Sequence, residues 1–133
     1  MYKYIDTLKK FICYIIFIIC ITVILSMTIT KHHSGKATIF GYKPFFIMSG
    51  SMEPTIRTHQ FVIAVPITPD EIKVGDIVTY DLHSTLNRNI KETIIHRVIA
   101  INDDNTFIFK GDNNSEPDEP VRAQNIGYKI IRY

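Results

Sequence analysis

The chain has 133 residues, 46% hydrophobic and 21% charged, which is room for about one domain of ordinary globular composition. Residues 1–30 carry Lys3, Lys9 and Lys10 against Asp6, and the remaining twelve basic and twelve acidic side chains cancel, which accounts for the net charge of +2. A neutral remainder offers no electrostatic footprint for nucleic acid, so that partner class is excluded.

From Phe11 to Thr30 the sequence reads FICYIIFIICITVILSMTIT, twenty residues without a charge. As a helix this segment is about 30 Å long, enough to cross the hydrocarbon core of a bilayer. A cleaved signal peptide has an apolar region of only ~7–15 residues and a small-residue cleavage site. Here the run is longer, and no Ala-x-Ala-like site follows. A buried core helix, apolar all round, needs more protein around it than the rest of the chain supplies. The expected organisation is a cytoplasmic tail at 1–10, a transmembrane anchor at 11–30, a membrane-proximal linker at 31–44 and a β domain at 45–133. Lysines flank the span on both sides (Lys10 before, Lys31 and Lys36 after), so charge bias fixes orientation weakly. The short basic tail favours a cytoplasmic N-terminus and an exported C-terminal domain. Cys13 and Cys20 both lie inside the span. The exported part therefore has no disulfide, cysteine nucleophile or thiolate zinc site.

Beyond the linker, β-branched and aromatic runs alternate with turn residues. Strands are expected near Phe45–Met48, Phe61–Val65, Asp76–Tyr80, Thr93–Ile101, Thr106–Lys110 and Ile126–Ile131. SGSMEPT, PITPDEIKVG, LHSTLNRN, NDDN and GDNNSEPDEP punctuate them. Short strands at regular spacing, with no helical period outside the anchor, predict a mainly β fold: a small barrel or sandwich behind one N-terminal transmembrane helix.

Three segments carry chemistry. In Ile47-Met48-Ser49-Gly50-Ser51-Met52-Glu53-Pro54-Thr55, the residues Ser, Gly and Pro suit a plain turn, but Met48 and Met52 frame a hydroxyl with apolar side chains. A serine hydroxyl is a weak nucleophile and needs a base. Of His32, His33, His59, His83 and His96, only His96 sits in a strongly apolar strand, where alternation sets Ile94, His96, Val98 and Ala100 on one face. A histidine in that setting is also a common core residue. Lys91 and Lys110 are alternative bases, since burial lowers an amine pKa. The third segment, Lys110–Pro120, reads as a solvated acidic loop or as a source of a carboxylate to orient a histidine. A calcium loop is discounted, because Pro117 occupies the position at which that pattern demands glycine.

In this order the segments resemble the type I signal peptidases, in the branch found in the endoplasmic reticulum, archaea and some Gram-positive bacteria. Ser49-Gly50-Ser51-Met52-Glu53-Pro54 resembles the nucleophile box, and Val74-Gly75-Asp76-Ile77-Val78 the structural strand. His96-Arg97-Val98 is similar to the box that carries histidine in this branch and lysine in the common bacterial one. Lys110-Gly111-Asp112-Asn113-Asn114 resembles the closing box, with a further acid at Asp118. The resemblance implies a membrane-bound serine endopeptidase that removes signal peptides from exported preproteins. Ser51 would be nucleophile and His96 general base, with Asp118 or Asp112 as orienting acid. The Ser51 N–H and the Ser49 hydroxyl would donate to the oxyanion. It implies no cofactor and no metal, and as partners preprotein signal peptides, the bilayer and other membrane subunits. The chain reaches Tyr133 without the second, C-terminal span of many relatives and lacks the large insertion of the common bacterial enzymes; neither departure touches the reactive groups. The rival readings are a serine–lysine protease and a non-catalytic, membrane-tethered β-domain that binds peptides.

Overall fold

The computed structural model describes residues 2–34, 36–83 and 91–133, and the chain divides after Gly41 into two compact units. The first contains helix α1, Tyr2–Ser34. The helix outruns the uncharged stretch at both ends, because apolarity marks the part suited to lipid, whereas Lys and Leu propagate a helix equally well in water. Its residues Tyr4–His32 form a candidate membrane span of mean hydropathy 2.8, with none of its most apolar window buried. Two hydroxyls within it are satisfied locally, as a lipid-facing helix favours: Thr22 donates to the carbonyl of Ile19, and Thr28 to that of Ile24, each at 2.8 Å. After the helix the chain folds back. Thr30 Oγ1 donates to Thr38 O at 3.0 Å, and Phe40 N donates to Ser26 Oγ at 2.9 Å.

The second unit is one seven-stranded antiparallel sheet: β1 (Lys43–Phe46), β2 (Phe61–Pro66), β3 (Ile77–His83), β4 (Lys91–Ile101), β5 (Thr106–Lys110), β6 (Val121–Arg122) and β7 (Ile126–Arg132). The order across it is β1-β2-β7-β3-β4-β5-β6, which puts β3 and β4 centrally and leaves β1 and β6 at the edges. All six expected strands are present, and the mainly β fold with one apolar N-terminal helix is the one expected. The first strand starts and ends two residues earlier than expected, and the two-residue β6 was not foreseen. Most of the polar turn LHSTLNRN lies outside the described residues, which resume at 91.

Alternation builds the core. In β5 the aromatic residues Phe107 and Phe109 are buried, and in β7 so are Ile126, Tyr128 and Ile130. Neighbours in β3 feed different clusters: Val78 and Tyr80 pack with Val98, Phe107 and Phe109, whereas Ile77 packs with Met52, Ile56 and Val62. Ahead of β3, Gly75 takes a φ of +97°, a left-handed conformation that glycine adopts at little cost. There its N–H donates to Val98 O and Val98 N to Asp76 O, both at 2.8 Å, extending the β3–β4 pairing.

Phe109 is fully buried and stacked on Tyr80, with ring centroids 4.5 Å apart. Phe109→Ala is expected to destabilise the sheet by about 3–5 kcal/mol, measured by denaturant unfolding of the detergent-solubilised chain.

Candidate active site

Ser51 sits on the turn that leaves β1. Ile47 N donates to Gln60 O at 3.0 Å and His59 N to Ile47 O at 2.8 Å, so the excursion from Met48 to Thr58 is pinched shut at its base. Within it Glu53 N donates to Gly50 O and Ile56 N to Met52 O. Thr58 donates from its N–H and its hydroxyl to Glu53 Oε1, which holds that carboxyl below its usual range. The two flanking methionines take different roles. Met52 is a core anchor, 1% exposed, while Met48 is 75% exposed. Ser49 Oγ and Ser51 Oγ lie 3.3 Å apart, and the Ser51 N–H donates to no acceptor among the described residues.

The segment after β5 holds this turn. Asn113 N donates to Ser51 O at 2.8 Å, and Asn113 Nδ2 to Gly50 O at 3.2 Å. A Cβ at Gly111 would stand 2.6 Å from Ser51 O, so the approach requires glycine there.

His96, 5% exposed, lies in β4 opposite Val78 of β3. Its Nδ1 donates to Asp118 Oδ2 at 2.6 Å. That bond puts the proton on Nδ1 and leaves Nε2 as the acceptor. Asp118 reaches it because the loop returns to the sheet, Asp118 N donating to Phe109 O at 2.8 Å. Tyr80 Oη donates to the same carboxylate oxygen at 2.8 Å, a contact the sequence reading missed. Its only signal was a tyrosine in a central apolar strand, whose hydroxyl must find a partner when buried.

Asp112, the other candidate acid, is paired elsewhere. Arg97 Nε donates to Asp112 Oδ1 at 2.8 Å and Nη2 to Oδ2 at 2.7 Å, while Nη1 donates to Gly75 O. The Arg97 hydrogen bonds, against some opposition from burial, hold the Asp112 carboxyl below the usual carboxylate range, and Thr55 adds another bond. Of the alternative bases, Lys110 ends β5 opposite Arg97, and the Lys91 side chain lies outside the described residues.

Ser49, Ser51 and His96 line one cavity of about 320 Å³ together with Phe46, Met48, Ile95 and Asn114. Asp118 and Tyr80 lie behind His96, in the wall of a second cavity. β5 pairs with β4 only as far as Arg97, so among the described residues no strand neighbours the second edge of residues 92–96, which also line the first cavity.

Asp112 stabilises the fold above the ordinary carboxylate range and loses that contribution as pH falls through its lowered value. Asp112→Asn is expected to cost about 1.5–3 kcal/mol at pH 7, and the difference from wild type should shrink below about pH 4. Chemical denaturation across pH measures both.

Residues 8–112 match the family Signal peptidase, peptidase S26, a stretch that contains Ser51, His96 and Asp112 and stops short of Asp118. Signal peptidase I W of Bacillus subtilis (strain 168) is 31% identical over 135 residues, covering 91% of this chain and 68% of that protein. The human signal peptidase complex catalytic subunit SEC11C is 36% identical over 76 residues, covering 54% of this chain and 37% of that protein. The human putative signal peptidase complex catalytic subunit SEC11B is 31% identical over 85 residues, covering 61% and 48%. The chain thus spans about two thirds of the Bacillus relative and less than half of either human one. No solved structure gives a significant match. On the extent of the first two likenesses, the chain belongs to the signal peptidase family, peptidase S26.

Proposed function

We propose that this membrane signal peptidase cuts the peptide bond behind a signal peptide with Ser51 as nucleophile, His96 as general base and Asp118 as orienting acid. The observation that carries the assignment is the His96 Nδ1–Asp118 Oδ2 bond of 2.6 Å beside a cavity that His96 shares with Ser51. With Nδ1 committed to Asp118, Nε2 is free to take the Ser51 proton as Oγ attacks the carbonyl, and then to deliver it to the leaving amine. The Ser51 hydroxyl is engaged with Ser49, and the proposed mechanism requires it to turn to His96; such contacts commonly tighten only in the substrate complex. The Ser51 N–H and Ser49 hydroxyl are the donors for the oxyanion, each worth ~2.7–4 kcal/mol of transition-state stabilisation.

An extended substrate fits between the open edge of residues 92–96 and the segment from Phe46 to Ser49, main-chain bonds giving affinity. Ile47, Met52 and Ile95 crowd the same cavity, which suits small substrate side chains. The N-terminus lies in the cytoplasm and the sheet domain on the exported side. Tethering confines enzyme and preprotein to one plane, raising their effective concentration without a new contact. Because two relatives are named as catalytic subunits of a complex, further membrane subunits are part of the proposal.

Ser51→Ala is expected to abolish cleavage of a model preprotein by the detergent-solubilised chain while leaving its melting temperature unchanged. His96→Ala should lower turnover by about 10²–10⁴, and Lys91→Ala and Lys110→Ala should leave it largely intact. Full activity in His96→Ala with loss in a lysine variant would shift the base to lysine. Activity in Ser51→Ala would sink the nucleophile. Protease added outside sealed right-side-out vesicles should digest the sheet domain; protection would reverse the orientation.

A further inference from the structure

We propose that Tyr80 is a positioning residue of this site: its hydroxyl sets the orientation and basicity of the carboxylate that holds His96. The inference rests on the proposed roles of Ser51, His96 and Asp118. Tyr80 Oη and His96 Nδ1 donate to one and the same oxygen, Asp118 Oδ2, at 2.8 Å and 2.6 Å. Among the described residues these are the only hydrogen bonds of that carboxylate. Packing alone does not account for the hydroxyl. Tyr80 is 1% exposed, and its ring is already held by Phe109 with an interplanar angle of 11°. A phenylalanine would fill that space, whereas a buried hydroxyl costs stability unless it is bonded. The register explains the meeting. Tyr80 lies opposite Ile94 and Val78 opposite His96, so Tyr80 and His96 are diagonal neighbours on one face, their rings 6.3 Å apart. Burial, then the Asp118 bond and charge, push the phenol far above its ordinary value, so Tyr80 remains an O–H donor throughout the working pH range.

The charged groups around this trio are otherwise engaged or peripheral. Asp81 of β3 accepts from Thr93, Arg97 of β4 is paired with Asp112, and Glu119 and Arg122 line the cavity behind Asp118. Glu92 lines the cavity in front. Removing the Tyr80 hydroxyl therefore leaves Oδ2 with His96 as its sole donor. The carboxylate becomes more strongly negative toward the imidazolium, and its orientation loosens. The first effect strengthens the pair between Asp118 and the protonated imidazole; the second slows proton transfer.

The test is Tyr80→Phe in the full chain, in detergent, with a model preprotein. The expected result is a kcat lowered about tenfold with KM within about twofold, since one bond to a charged group is lost. The acid limb of the kcat/KM profile should move to higher pH by about half a unit or more. In an Asp118→Asn background, adding Tyr80→Phe should change kcat little, because the two act through one oxygen. A wild-type kcat and acid limb in Tyr80→Phe would overturn the proposal. So would a loss that tracks a lowered melting temperature, leaves the acid limb in place and adds in full to that of Asp118→Asn, since that is a packing role. Wild-type turnover in Asp118→Asn would remove Asp118 and Tyr80 together while leaving Ser51 to be judged by Ser51→Ala.

Discussion

The hydrogen bond from Asn113 N–H to the carbonyl of Ser51, 2.8 Å long, joins two stretches of chain some sixty residues apart, and the geometry of the site follows from it. It forms because Gly111 has no side chain; a Cβ there would collide with the same carbonyl. Gly111 directly follows β5, and β5 is registered on β4 with Arg97 opposite Lys110. The turn that carries Ser51 is thereby indexed to the strand that carries His96. The buried side chains of Met52 and Ile56 fix the turn from beneath, so its position is set from two sides by groups outside the proposed catalytic set. If Ser51 and His96 react as proposed, holding them in place in this way supplies much of the rate enhancement.

The same constraint sorts the two acids. Successive residues of a strand point to opposite faces, so His96 and Arg97 present an imidazole and a guanidinium on different sides of β4. Asp112 is adjacent to Gly111 and meets Arg97 in a two-pronged pair. Six residues later the loop has crossed back to Phe109 O, and Asp118 meets His96 on the other face. Exchange of the two roles would require the loop to leave the sheet on the opposite side. Asp112 fastens the strand, and the proposed role of Asp118 is to orient the base.

Much of this was legible in the sequence, and what was not has a physical cause. The six strands followed from alternation and turn residues. Ser51 and His96 were singled out by an apolar frame around a hydroxyl and by an imidazole in an apolar strand. The choice between Asp112 and Asp118 stayed open because spacing along a loop does not say on which face the loop returns. Arg97 was quoted within its motif and given no partner, since its pairing depends on that same return. Met48 and Met52 look equivalent in sequence, yet turn geometry buries one and exposes the other. At the anchor, apolarity marked residues 11–30 while the helix runs Tyr2–Ser34, because hydropathy reports the solvent a helix suits and not where its backbone bonding ends.

The resting position of the Ser51 hydroxyl is consistent with a site built for an incoming strand. Its bond to Ser49 is 3.3 Å, well beyond the usual ~2.7–2.8 Å for hydroxyl pairs, so releasing it costs less than a typical net hydrogen bond of about 1 kcal/mol. In the proposed mechanism, turning toward Nε2 of His96 would replace that weak contact with one to an imidazole whose other nitrogen is already held by a carboxylate. In the same proposal, that rotation would free the Ser49 hydroxyl as the oxyanion needs a donor. A tighter Ser49–Ser51 pair would oppose both proposed roles at once, whereas the long contact holds neither hydroxyl strongly.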